Sequence, residues 1–233
     1  MAQRLIPNRS TPVYTLQSIP DFASLIVHIV LEELAQPYRL TMLDIASGDL
    51  DSPAHRAISP FGKIPAMQTP DGPMFETAAI TLWLADRHGA LAPMPTAPDR
   101  AEFLSWFFFN NFSLHTGMMA LVHPDFPGGE NMSYPVSQTT HARLMAELTI
   151  LDAMIASRKP RWLSPDAPSI LTYHLAVLMR WMKAFAKFPE HAIDSSNFPS
   201  IHGILCAMET RPAAIRAAAD EGLTGTFFSN PES

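Results

Sequence analysis

The stretch SPFGKIPAMQTPDGPMFETAAI, residues 59–80, decides how the N-terminal part of this chain folds. Its first five residues are a cluster of turn formers, and a short strand-like run follows at residues 64–68. The Asp-Gly pair after that run reverses the chain, which predicts a β-hairpin. A helix is expected to begin near Glu76 and to stop at Gly89, because glycine is favoured just beyond a helix end.

The residues before this stretch predict a strand, a helix and a second strand. β-branched and aromatic residues at positions 12–17 favour the first strand. Apolar residues recur every three or four positions over residues 22–34, which indicates a helix, and Asp21 is its expected N-cap. Alternation over residues 38–43 indicates the second strand. The order βαβ followed by ββα predicts one compact α/β domain over residues 1–89.

The rest of the chain has a different secondary-structure pattern from the first 89 residues. Residues 90–98 carry three prolines without periodicity, which is typical of a linker. Residues 99–233 contain no convincing strand pattern, so the second domain is expected to be wholly helical. Its clearest helical stripe steps by four, three and four residues through Leu144, Leu148, Leu151 and Ile155.

Composition excludes several classes of protein. Hydrophobic residues make up 47% of the 233 and charged residues 16%, which indicates an ordered globular protein. The net charge of -6 and the lack of a basic run make nucleic acid an unexpected partner. A single cysteine, Cys206, excludes an intramolecular disulfide and any multi-cysteine metal site, so no metal is expected. The N-terminal residues lack the apolar core of a signal peptide, and a cytoplasmic location is expected.

Residues 103–124 contain no Asp, Glu, Lys or Arg, and a run of that length is long enough to cross a bilayer. It carries Asn110, Asn111 and His115, however, which are costly in lipid and natural in a buried helix. No membrane association is therefore expected.

Several passages together resemble the glutathione transferase family, and in detail its bacterial beta class. They cover nearly the whole chain, and the first, the stretch at residues 59–80, is the most specific. The others are residues 113–117 with Pro124 and Asp125, residues 162–181, and residues 208–212. The resemblance implies a thioredoxin-like domain followed by an all-helical one, with glutathione as co-substrate.

The resemblance also implies a glutathione site in the first domain. A cis peptide bond before Pro65 would turn the backbone of Ile64 toward a peptide ligand, which would pair with it as an added strand does. Glu76 would accept from the α-ammonium group of glutathione, and Thr77 with the helix start would hold the α-carboxylate. Lys63 would reach the glycyl carboxylate. Each feature alone also has a structural reading, as an edge-strand proline or an acidic helix start.

The thiol activator of the family has no clear counterpart. Ala23 stands where the beta class has its cysteine, and Asp21 stands where other classes have a serine. Ser24 and Ser18 remain as candidate catalytic hydroxyls, and Ser24 has an open alternative as a helix-start residue that bonds its own backbone. Two further polar residues are expected to form a local surface network: His28 and Glu32.

The resemblance places a small hydrophobic electrophile against the second domain, near Phe108, Phe112 and Met119. His115 lies in the same run as a third candidate catalytic residue, although a histidine among apolar residues is commonly a core residue. The implied reaction is attack of the glutathione thiolate on an electrophilic carbon, carried out by a homodimer. Two alternatives stay open, a non-catalytic glutathione-binding module and a glutathione-dependent reductase or peroxidase.

The family's core helix normally begins with a capping box of serine or threonine followed three residues later by aspartate. This chain has Ser169 and Thr172 at the two positions. One half of the box is therefore expected to be weakened.

Overall fold

The computed structural model describes residues 3–5 and 14–232. Its N-terminal part holds a five-stranded sheet in the order β1-β3-β2-β4-β5. β2 and β3 are parallel, and the other three neighbouring pairs are antiparallel. The strands are β1 (Gln3–Leu5), β2 (Tyr14–Ser18), β3 (Tyr38–Met42), β4 (Ala66–Thr69) and β5 (Gly72–Phe75).

This arrangement confirms the predicted thioredoxin-like domain. Helix α1 (Ser24–Glu33) connects the parallel strands β2 and β3, and β4 and β5 form the predicted hairpin. Strand β1 was not predicted, since it spans only three residues, too few to show an alternating pattern. It pairs with β3 at one edge of the sheet.

Helix α1 is buried over nine of its ten residues, because apolar side chains occur on all its faces. The expected N-cap is wrong. Ala23 occupies the N-cap position without a side-chain hydrogen bond, and Asp21 lies in a turn before it with a φ of 57°. The helix therefore begins two residues later than the apolar pattern indicated.

Two further helices belong to this part of the chain, α2 (Pro53–Arg56) and α3 (Thr77–His88). The predicted end of α3 is confirmed, since Gly89 has a φ of 62° and its N–H bonds the Ala85 carbonyl. Glycine adopts this left-handed conformation without the steric cost that a Cβ atom would bring.

The C-terminal part is mostly helical, as predicted, and no strand follows Phe75 among residues 76–232. A five-residue π-helix, Asn110–Leu114, continues α4 into α5. The helices are α4 (Arg100–Phe109), α5 (His115–Val122), α6 (Asp125–Gly128), α7 (Ser133–Arg158), α8 (Ile170–Ala184), α9 (Pro199–Glu209) and α10 (Pro212–Asp220). Within the described ranges, no helix has the length and apolarity that a membrane span requires.

The chain forms two compact units. The first contains the described residues up to Ala90 together with Pro212–Leu223, and the second contains Leu91–Arg211 and the residues from Thr224 onward. The sequence had assigned every residue after 98 to the second domain. The difference arises because α10 packs on α1 through a face of small alanine side chains, a pairing that local sequence does not encode.

The capping box of α8 is complete, contrary to the expectation from sequence. Ser169 Oγ accepts from the N–H groups of Leu171 and Thr172, and Thr172 Oγ1 accepts from the Ser169 N–H at 2.7 Å. A threonine hydroxyl thus replaces the carboxylate of the usual box. Helix α8 begins with both backbone groups satisfied inside a fully buried environment.

Candidate functional site

Strand register brings the predicted glutathione-binding residues together at one end of the sheet. Ala66 of β4 lies opposite Gln17 of β2 on one side and opposite Phe75 of β5 on the other. The next residue outward on β4 is Pro65, which is therefore flanked by the C-terminal end of β2 and by Glu76. Three chain segments that are distant in sequence meet at this end of the sheet.

The segment that carries Ile64 is held in a tight turn. The Lys63 N–H donates to Ser59 Oγ at 3.1 Å, and Ser59 is fully buried. Gly62 has a φ of 63°, and a Cβ there would lie 2.7 Å from the guanidinium carbon of Arg56. The Ile64-Pro65 peptide bond is cis. These contacts fix the backbone of Ile64 beside the start of α3.

Glu76 and Thr77 stand at the start of α3, directly after β5. Glu76 has a φ of 73° and an exposed side chain, whereas Thr77 is buried. Glu76 is the N-cap of α3 but its side chain makes no capping hydrogen bond, and the first turn after it contains no acidic residue, so the first N–H groups are suited to an anion. Lys63 is exposed next to Ile64 on the neighbouring segment. The arrangement presents an acid, a hydroxyl, helix N–H groups and a cation close together.

The hydroxyls of Ser18 and Ser24 are not presented to a ligand. Both side chains are fully buried, and Ser18 Oγ donates to Ser24 Oγ at 2.8 Å. Ser24 Oγ accepts from the Ile19 N–H at 3.3 Å and donates to the Ile19 carbonyl at 3.2 Å. Both hydroxyl protons are used inside the protein. The geometry agrees with the alternative in which Ser24 bonds the backbone at its own helix start.

The expected surface network of His28 and Glu32 is also incorrect, because both side chains are buried. The apolar residues around both positions already indicate that α1 is mostly buried. Their partners lie on β3 and on the segment after α9, which no local pattern reveals.

A second buried pair was missed altogether. His55 Nδ1 lies 2.6 Å from Gln17 Oε1, and His55 is 1% exposed. Burial lowers the pKa of His55, and the Lys63 carbonyl acts in the opposite direction. Sequence gave no signal here, because His55 ends a polar segment that resembles an exposed loop.

The other predicted residues lie in the second unit. Phe108 and Phe112 are exposed and stack at 5.9 Å with an interplanar angle of 17°. Phe108 lies on α4, Phe112 within the π-helix and Met119, also exposed, on α5. An apolar surface of aromatic and methionine groups is therefore available on this unit.

His115 lies at the end of the π-helix and faces a second histidine. Its Nδ1 is 3.1 Å from Nε2 of His174, so one imidazole donates to the other. Burial lowers the pKa of His115 to about 4, and burial together with the neighbouring ring places the pKa of His174 well below its ordinary value. Both rings are neutral at pH 7, which makes His115 a hydrogen-bonding group there rather than a cation.

Over residues 3–5 and 14–232, no cluster of three or more His, Cys, Asp or Glu side chains is arranged to hold a metal ion.

Comparison with known proteins shows what the chain is similar to. Residues 23–87 match the domain family described as "Glutathione S-transferase, N-terminal domain". The chain is also 29% identical over 173 residues to glutathione S-transferase GST-4.5 of Xanthomonas campestris, which covers 71% of this chain and 81% of that protein. Residues 23–87 thus resemble this N-terminal domain, and the chain as a whole is similar to a glutathione S-transferase.

Two further proteins show the range of proteins to which this chain is similar. It is 26% identical over 200 residues to the disulfide-bond oxidoreductase YfcG of Escherichia coli, covering 82% of this chain and 87% of that protein. A solved sphingomonad glutathione S-transferase complexed with glutathione is 25% identical, with a TM-score of 0.73. That match covers 90% of this chain and all of the sphingomonad chain.

The lowered pKa of His115 gives a testable pH dependence. The folded pKa of about 4 lies below the unfolded value of about 6.5, because burial disfavours the charged ring. The contribution to stability is therefore complete above pH 6.5 and is lost as the pH falls toward 4. NMR titration should show the His115 ring signals, assigned with His115→Gln, unchanged between pH 8 and about 5.5. The urea-unfolded chain serves as the control, and a folded-state midpoint near 6.5 would contradict the geometry.

Proposed function

We propose that this chain binds glutathione at the end of the sheet in its first unit and joins the glutathione sulfur to small apolar electrophiles. The observation that carries the proposal is the adjacency of the Ile64 backbone to Glu76 and Thr77, which the strand register creates. The sphingomonad relative supports it, since its solved structure is a complex with glutathione.

In the proposed complex each charged group of glutathione meets a complementary group. Glu76 accepts from the α-ammonium group, and Thr77 with the first N–H groups of α3 holds the α-carboxylate. The backbone of Ile64 pairs with the cysteinyl residue as an adjacent strand does. Lys63 approaches the glycyl carboxylate. This pose directs the sulfur toward the end of β2 and the start of α1.

Activation of the thiol rests on the start of α1 rather than on a side-chain hydroxyl. Ser24 would have to release the Ile19 carbonyl before it could donate to sulfur. In the first turn of α1 the Leu25 N–H donates to the Phe22 carbonyl at 2.9 Å, and the other N–H groups at this positive helix end favour an anion. A free thiol has a pKa of about 8.5, so a helix end alone leaves much of the bound thiol protonated at neutral pH.

The reaction releases the thiol proton and a leaving group. The thiolate attacks the electrophilic carbon, an S–C bond forms, and a halide leaves with the electrons of its bond to carbon. The proton passes to solvent. The stacked rings of Phe108 and Phe112, with Met119, supply an apolar surface for the electrophile.

A second function, reduction of disulfides by glutathione, is favoured by the similarity to YfcG. A bound thiolate attacks one sulfur of the substrate disulfide and expels the other as a thiolate, which leaves a mixed disulfide with glutathione. A second glutathione thiolate then attacks the glutathione sulfur of this mixed disulfide, which releases oxidised glutathione and the second substrate thiol. This exchange needs less thiol activation than attack on carbon, which suits a site without an available hydroxyl.

We also propose a homodimer, in which a second copy covers an apolar groove on the second unit. The side chains of Trp106 and Phe109 on α4 and Ile150 on α7 line the groove, and Ile150 is 63% exposed. Exposed apolar groups of this size commonly mark an interface.

The glutathione pose predicts a strong effect of Glu76→Ala on binding. Titration calorimetry should show a loss of about 1.5 to 3 kcal/mol, because a hydrogen bond to a charged group disappears. Glu190→Ala removes an exposed acid from the second unit and should leave the affinity unchanged. An unchanged affinity in the Glu76 variant would contradict the pose.

The activation argument predicts slow conjugation of an aromatic halide, with a rate that rises with pH toward the free-thiol value of about 8.5. Ser18→Ala and Ser24→Ala should lower stability without changing the apparent thiol pKa, since neither proton is available to sulfur. Rates measured against pH at saturating glutathione test this.

A higher apparent thiol pKa in either serine variant would instead support a catalytic hydroxyl. The same preparations, assayed with a small disulfide, separate the two functions. Disulfide reduction without conjugation would favour the reductase, and glutathione binding without either reaction would favour a binding module.

The dimer prediction is tested by light scattering at micromolar concentration. The parent chain should show twice the mass of one chain, and Ile150→Asp should shift it to a single chain by placing a charge in the groove. Ile215→Asp, which changes an equally apolar exposed residue on α10, is the matched control. A monomeric parent would overturn the proposal.

A further inference from the structure

A chain of buried polar groups runs behind the start of α1. His28 Nδ1 lies 3.1 Å from Glu221 Oε1, and its Nε2 lies 2.8 Å from the Tyr38 hydroxyl. Tyr38 donates to Glu32 Oε1 at 2.6 Å, and Glu32 Oε2 accepts from Arg216 Nε at 2.6 Å. Apart from Arg216, all these residues are at most 7% exposed. The network joins α1, β3 and the end of α10 within the first unit.

The number of protons that each group carries determines which group donates in each hydrogen bond of this network. The Tyr38 hydroxyl has one proton and gives it to Glu32, so it accepts from Nε2–H of His28. Nδ1 of His28 and Glu221 then share one further proton. Burial raises the pKa of Glu221, and the contact with His28 lowers it. The Asp220 carboxylate, 3.9 Å from His28 Nε2, is the other acidic group near the ring.

The second carboxylate oxygen of Glu221 is bonded to the loop that precedes α1. Glu221 Oε2 accepts from the backbone N–H of Asp21 at 2.8 Å. Asp21 has a φ of 57°, a conformation that a non-glycine residue keeps only where surrounding contacts impose it. Three residues further along, Ser24 is bonded to both backbone groups of Ile19. The loop is thus held by Ser24 on one side and by Glu221 on the other.

This loop leads directly into the first N–H groups of α1. Ala23 gives the helix no side-chain cap, and its first turn has no acidic residue. Backbone bonds from Phe22 to Ile19 and from Leu25 to Phe22 complete the turn, and Glu221 is the side chain that holds it at Asp21.

We propose that Glu221 is a positioning residue for the glutathione thiol. By holding the Asp21 turn it aims the N–H groups at the start of α1 at the sulfur, although it lies 200 residues away in sequence. The inference rests on the proposed function, since it concerns the sulfur of a glutathione bound there. In this proposal the end of α10 contributes to thiol activation, whereas glutathione recognition depends on α3.

The experiment compares Glu221→Ala and Glu221→Gln with the parent. The alanine variant should raise the apparent pKa of the bound thiol by about one unit and lower kcat at neutral pH about tenfold. Calorimetry should show unchanged glutathione affinity, because Glu76 and Thr77 are untouched. The glutamine variant keeps an acceptor for the Asp21 N–H and should retain the parent thiol pKa.

Two further variants separate positioning from general stability. Glu209 holds the backbone N–H groups of Phe228 and Ser229 in the second unit, so Glu209→Ala is a matched control that should lower stability without changing the thiol pKa. Asp21→Gly accepts a φ of 57° without strain. Combined with Glu221→Ala it should recover part of the lost rate and protect folding.

Hydrogen exchange of the ligand-free protein gives a readout that does not need glutathione. Amides 21–24 should exchange faster in Glu221→Ala than in the parent. Unchanged exchange, or an unchanged thiol pKa in a variant that binds glutathione, would overturn the positioning role. A parent chain that does not bind glutathione would overturn the proposed function, and calorimetry distinguishes that result from the other two.

Discussion

The pairing register of β2, β4 and β5 is the constraint on which the candidate site depends. A shift of one residue would turn every side chain of β4 to the opposite face of the sheet and would separate Pro65 from Glu76. The buried side chains of Leu16 and Met67, which lie opposite each other, oppose such a shift because they would lose their apolar surroundings. The packing of these core residues therefore fixes the positions of the loops that carry Pro65 and Glu76, although those loops contribute little to the core.

Sequence predicted those parts of the structure that short-range signals control. The hairpin, the C-terminus of α3 at Gly89 and the parallel βαβ unit each follow from a few neighbouring residues. The placement of Ile64 near Glu76 also follows from sequence, because a tight hairpin fixes which of its flanking residues are adjacent. The residues proposed to bind glutathione can thus be named from sequence, whereas strand β1 is too short to detect.

Activation of the thiol was not accessible, because it depends on contacts between distant segments. The sequence shows a serine at the start of α1 but not that its hydroxyl is bonded to Ile19. It shows His28 and Glu32 on one helix face but not that Glu221 and Arg216 reach them from α10. A hydroxyl or carboxylate has several possible partners, and only the tertiary fold selects one.

In the proposed mechanism, recognition of glutathione and activation of its thiol therefore depend on different contacts. The groups proposed to hold glutathione lie on the hairpin and at the start of α3, where local turns fix them. The groups proposed to act on its sulfur lie at the start of α1, where an uncapped helix, a left-handed Asp21 and a carboxylate from α10 determine the geometry. A loss of the α10 contact would leave the first set intact. In this proposal, a chain that loses the α10 contact still binds glutathione but turns it over slowly.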